Sequence, residues 1–137
     1  MTQEKFNGSC LCGQVSYELS GEPERFYHCH CERCRKATGT GHASNIMVKA
    51  ADFKWLKGAE LLQRYNVPEA ERFYTLFCSN CGSPMPRDVP ELSVTVIPAG
   101  SLDKEPSIQP NARIFWDSRS QWSCDGSAIK QHSEYEK

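Results

Sequence analysis

Apolar and polar positions alternate along this chain in short runs, each bounded by turn residues. Val15, Tyr17 and Leu19 alternate across 14–20, and Ile46 and Val48 do so within 44–49. Runs at 61–67, 72–77, 92–97 and 112–116 complete the series, with Val, Ile, Phe and Tyr prominent. A period of two in β-branched and aromatic residues predicts half-buried strands. Turn signals fall between the runs at Gly13, Gly21-Glu22-Pro23, Gly39-Thr40-Gly41, Lys57-Gly58, Val67-Pro68, Gly82-Ser83-Pro84, Gly100 and Glu105-Pro106. Helix is confined to one or two turns at 32–38, which Gly39 stops. No βαβ alternation occurs, so the pattern predicts a mainly β domain of short antiparallel strands with little helix.

At 137 residues the chain has the length of one domain and can bury a core. Its 16 Lys and Arg nearly cancel its 17 Asp and Glu, and no basic run occurs. That balance speaks against a nucleic-acid partner. No stretch reaches the roughly 18 apolar residues that read as a membrane span. The first residues lack the apolar centre of an export signal, so the expected compartment is the cytoplasm. The expected organisation is one domain over 6–122 and a polar tail over 123–137.

Eight cysteines alter the picture, because cytosolic thiols stay reduced and clustered ones are more often metal ligands than disulfides. Cys10-Leu11-Cys12-Gly13 is a C-x-C, and Cys29-His30-Cys31-Glu32-Arg33-Cys34 a C-x-C-x-x-C. Cys78-Ser79-Asn80-Cys81-Gly82 is a C-x-x-C, and Cys124 stands alone. Zinc prefers tetrahedral thiolate and imidazole ligands, and two cysteines three apart in a turn can aim at one ion. In extended chain, residues two apart share a face, so a C-x-C can do the same. Cys10, Cys12, Cys78 and Cys81 would supply a closed structural site. Cys29, Cys31 and Cys34 would supply three ligands and leave the open position of a catalytic zinc. Either early C-x-C could pair with Cys78 and Cys81, so spacing alone leaves the division open. His28 and His30 would point away from the face carrying Cys29 and Cys31, and His42 reads as a loop histidine.

These motifs resemble one family. Gly8-Ser9-Cys10-Leu11-Cys12-Gly13, the stretch from His28 through Cys34 to Gly39, and Phe77-Cys78-x-x-Cys81-Gly82-Ser83 are similar to the glutathione-dependent formaldehyde-activating enzymes, a family that includes centromere protein V. Ala99-Gly100-Ser101-Leu102-Asp103, Ile114-Phe115 and Trp122 extend the resemblance from Phe6 to Trp122. It implies a tent-like β zinc fold similar to methionine sulfoxide reductase B. It implies two Zn²⁺ per chain, a structural one on Cys10, Cys12, Cys78 and Cys81 and a catalytic one on Cys29, Cys31 and Cys34. It also implies a carbon–sulfur lyase activity that joins glutathione to formaldehyde. Arg113 stands where the family often has a histidine, and Trp116 where it often has a small or apolar residue. Those departures suggest a wider substrate pocket or a different acidic partner.

The expected partners are a small thiol such as glutathione and a small aldehyde, with no nucleic acid and no membrane. Arg35 and Lys36, beside Cys34, are candidates to attract substrate carboxylates, against a solvated basic pair closing a short helix. One competing reading is a non-catalytic zinc module that binds a protein. Another is a thiol reductase using Cys124, although Asp125 beside it disfavours a thiolate.

Overall fold

The computed structural model describes residues 3–123 and 128–136; Cys124 lies outside them, as does Asp125. The strands are β1 (Glu4–Ser9), β2 (Ser16–Cys29), β3 (Ala43–Lys57), β4 (Leu62–Asn66), β5 (Tyr74–Cys78), β6 (Arg87–Val89), β7 (Val94–Pro98) and β8 (Ala112–Ile114). The one α-helix among the described residues, α1, spans Glu32–Thr38 and ends at Gly39 in the left-handed conformation. Short 3-10 turns join several of the strands.

The main sheet runs β1-β2-β3-β7-β6, and β8 adds in parallel to the end of β2. Its other pairings are antiparallel. A separate antiparallel ribbon is made by β4 and β5. The mainly β, antiparallel class expected from the alternation is therefore the class observed.

Alternation sets the core. Val15, Tyr17 and Leu19 bury one face with Phe6, Ile46, Val48, Met85 and Ile97. The Tyr17 ring stacks on Phe53 at 5.7 Å and meets Trp55 edge-on at 6.0 Å. Its hydroxyl bonds Ser101 Oγ at 2.6 Å, and burial pushes its pKa up to about 12.

Two expectations need correction, and two strands were not anticipated. Gly21-Glu22-Pro23 is not a turn but an irregularity inside the long β2, with pairing shifts on either side. A Cβ at Gly21 would lie 2.6 Å from Val48 Cγ1, so glycine serves close strand approach here. β1 and β6 escape the alternation pattern because each carries a single apolar side chain, Phe6 and Val89, which sets no period. β8 stops at Ile114, since Phe115 takes a φ of 55° and redirects the chain.

Candidate metal centres and the adjoining cavity

Cys10 and Cys12 lie just beyond β1, while Cys78 ends β5 and Cys81 sits in the turn that follows. Gly13 N–H donates to the Cys10 carbonyl at 3.0 Å, and Gly82 N–H to the Cys78 carbonyl at 2.7 Å. Both glycines have φ of 79°, so each turn closes without a Cβ penalty. Leu11 N–H donates to Ser83 Oγ at 2.9 Å and holds the two turns face to face.

The four sulfurs lie within 4.8 Å of one another. Cys10 Sγ is 3.5 Å from Cys12 Sγ, which is 3.9 Å from Cys78 Sγ. Metal–sulfur bonds of about 2.3 Å in a tetrahedron place sulfurs about 3.8 Å apart, so donor type and spacing both fit one zinc-sized ion. The Ser83 hydroxyl, with the Cys12 and Ser83 backbone, holds the Cys81 thiol down at about 5. Burial pushes Cys78 up to about 11. Thiols split in this way without an ion would all deprotonate around one.

The second group is local. Cys29 ends β2, Cys31 is the N-cap of α1, and Cys34 lies in its first turn. Cys31 Sγ accepts from Cys34 N–H at 3.3 Å. The three sulfurs lie within 4.8 Å of one another, and no fourth His, Cys, Asp or Glu among the described residues joins them. The Cys34 thiol, bonding to Cys29, draws Cys29 down to about 6; Cys34 itself is pushed up by that bond and by burial. Three soft donors at this spacing also fit zinc.

The histidines pack elsewhere. His28 stacks on His42 with ring centroids 4.0 Å apart, and His42 lies 5.1 Å from the buried His30. His30 Nε2 is 3.3 Å from an Arg113 nitrogen, and its ring meets Trp116 edge-on. None of the three histidines lines the cavity beside the cysteine triplet. Neither Arg113 nor Trp116 lines it either; both pack against His30.

That cavity has a volume of about 440 Å³. Cys29, Cys31 and Cys34 form part of its wall, with Tyr27, Met47, Phe73, Ile114 and Phe115 as the larger uncharged side chains. Its charged residues are Glu32, Arg33 and Arg87. Arg35 and Lys36, the cations expected from the sequence, do not reach it. Sequence reasoning missed Arg87, which β6 delivers from far along the chain. No local motif marks that position; only the β6–β7–β3 pairing places it. Burial depresses the Arg87 pKa, and the nearby sulfurs of Cys34, Cys29 and Cys31 oppose the shift.

A mainly β domain with two cysteine clusters, each able to hold a metal ion, is thus defined. The model of the family named "Glutathione-dependent formaldehyde-activating enzyme" matches residues 5–118, and the chain belongs to that family. A solved structure of a Rhodobacter sphaeroides protein is similar, with a TM-score of 0.56 at 20% identity. The match covers 78% of this chain and 97% of that one, and at this identity it speaks for the fold alone. No curated protein matches the chain. No helix among the described residues is long and apolar enough to cross a membrane.

Proposed function

We propose that this protein is a zinc-dependent enzyme of the carbon–sulfur lyase class. It adds a small thiol, glutathione or a relative, to formaldehyde or another small aldehyde. The observation that carries the reading is the cavity walled by Cys29, Cys31 and Cys34, which have no fourth partner among the described residues. Cys10, Cys12, Cys78 and Cys81 bring four ligands and serve a structural ion. A resident Zn²⁺ on the triplet supplies a lowered thiol pKa, which makes a nucleophile near neutral pH.

The chain's own residues shape the rest. Cys29, Cys31 and Cys34 hold the ion at the cavity wall. Phe73 and Ile114, packed against the cysteine triplet, limit water beside the reacting sulfur. Tyr27, Asn45 and Ser118 are the uncharged polar residues of the wall and offer hydrogen bonds to the aldehyde oxygen. In the reaction a sulfur–carbon bond forms, the carbonyl π bond opens, and the thiol proton ends on the new hydroxyl. No oxidant or reductant is needed.

Thiols add to formaldehyde unaided, so the test measures exchange at equilibrium. Exchange NMR with ¹³C-formaldehyde and glutathione should show faster interconversion with the wild-type, zinc-loaded protein than without it. Cys31→Ser should abolish the acceleration while the domain stays folded. A fully loaded protein that accelerates exchange with neither glutathione nor other small thiols would leave the non-catalytic zinc module as the better reading.

A further inference from the structure

Arg87 is a half-buried cation with no carboxylate partner among the described residues. Among the described residues no carboxylate lies within ion-pair distance of it, and no protein acceptor takes a hydrogen bond from its guanidinium. Glu32, the one carboxylate in the cavity wall, is exposed and pairs with neither Arg33 nor Arg87. The sulfurs of Cys34, Cys29 and Cys31 are its nearest negative groups, and an ion held on them would draw off much of their charge, leaving the half-buried guanidinium to meet another anion.

Aromatic rings fix where the guanidinium sits. Its central carbon lies 5.0 Å from the Phe73 ring centroid and 6.0 Å from that of Tyr74. Arg33 approaches the same Phe73 ring at 6.0 Å. A cation–π contact of this kind occupies none of the guanidinium's N–H donors in a conventional hydrogen bond, so the planar fork remains available to a carboxylate. Arg87, Arg33 and Phe73 all line the cavity that holds the three sulfurs.

We infer, on the reading of this cavity as the thiol site, that it selects thiols carrying a carboxylate, which Arg87 binds with Arg33 as an outer second cation. The apolar wall of Met47, Ile114 and Phe115 receives the carbon chain between sulfur and carboxylate. Neutral thiols such as 2-mercaptoethanol reach the sulfurs but lose this anchor. Arg87 is accordingly a specificity-determining residue, not one that acts on the reacting atoms.

The test uses the zinc-loaded protein and separates the anchor from the metal. S-methylglutathione carries both carboxylates and no free thiol; its dimethyl ester lacks the two carboxylate charges and keeps the ammonium. Calorimetry should show the acid binding and the ester binding more weakly by about tenfold or more, as expected for hydrogen bonds to a charged group. R87Q should erase that difference, and R87K should restore part of it. Equal binding of acid and ester to wild type, or an R87Q protein that still discriminates, would overturn the inference, and Arg87 would then be only a counter-ion to the thiolates. The acid–ester comparison stands even if R87Q fails to fold. A parallel arm follows the visible spectrum of Co²⁺-substituted protein on adding 2-mercaptoethanol or glutathione. If the acid is preferred but no thiol perturbs the metal, the carboxylate anchor stands and the thiol-site reading falls. If thiols perturb the metal but acid and ester bind alike, the reverse holds.

Discussion

At the residue scale, proton sharing within the triplet makes Cys29 and Cys34 chemically unlike. The Cys34 thiol stabilises Cys29 as a thiolate, with a pKa near 6, while its own is pushed up. The thiolate is the reactive form of cysteine. In metal-free protein at neutral pH, iodoacetamide should therefore modify Cys29 well before Cys34, at a rate that rises with pH through about 6. Zinc should protect both. Mass mapping of partial alkylation checks this, and first modification at Cys34 would refute the assignment. Tyr17 gives a second residue-scale expectation. Its folded pKa of about 12 lies above the value of about 10 for an exposed phenol. Its contribution is complete below pH 10 and is lost as pH rises toward 12, an effect of about 2–3 kcal/mol. Tyr17→Phe should show a flatter alkaline decline in denaturant stability than wild type.

At the element scale, local chemistry was legible in the sequence and long-range placement was not. Helix α1 ends where Gly39 predicts, because a left-handed C-terminal glycine is a local signal. The cysteine turns were legible for the same reason, since each closes within a few residues. The four-and-three grouping of sulfurs followed from the ligand count and the family resemblance while spacing left it open, and the return of β5 beside the end of β1 is what brings the four together. Arg87 and the cavity were invisible, because they depend on strand order and not on spacing. The join between β8 and the turn after it carries a testable strain. Phe115 is 62% exposed yet adopts a φ of 55°. That conformation costs a non-glycine residue about 1–2 kcal/mol. Phe115→Gly should raise the melting temperature while weakening ligand binding through loss of the cavity wall. A lowered melting temperature would mean that the ring's contacts outweigh the strain.

At the scale of the whole molecule, the two cysteine groups differ in what they tie together. The triplet spans the end of β2 and the first turn of α1, a stretch already adjacent in sequence. The four-cysteine group joins Cys12 to Cys78 across 66 positions. It also links the β4–β5 ribbon, which pairs with no strand of the main sheet, to the N-terminal strand. Closing the longer loop restricts the unfolded chain more, by about 2 kcal/mol relative to the short one. Metal affinity in such a group is in large part folding free energy. Cys78→Ser should therefore lower the melting temperature strongly and broaden the transition. Cys31→Ser should remove one metal per chain with only a small shift. Metal analysis beside thermal circular dichroism reads both quantities on the same samples. Should Cys31→Ser unfold the domain or release both ions, the triplet would be part of the structural framework, and a separate, substrate-facing role for Cys29, Cys31 and Cys34 would no longer hold.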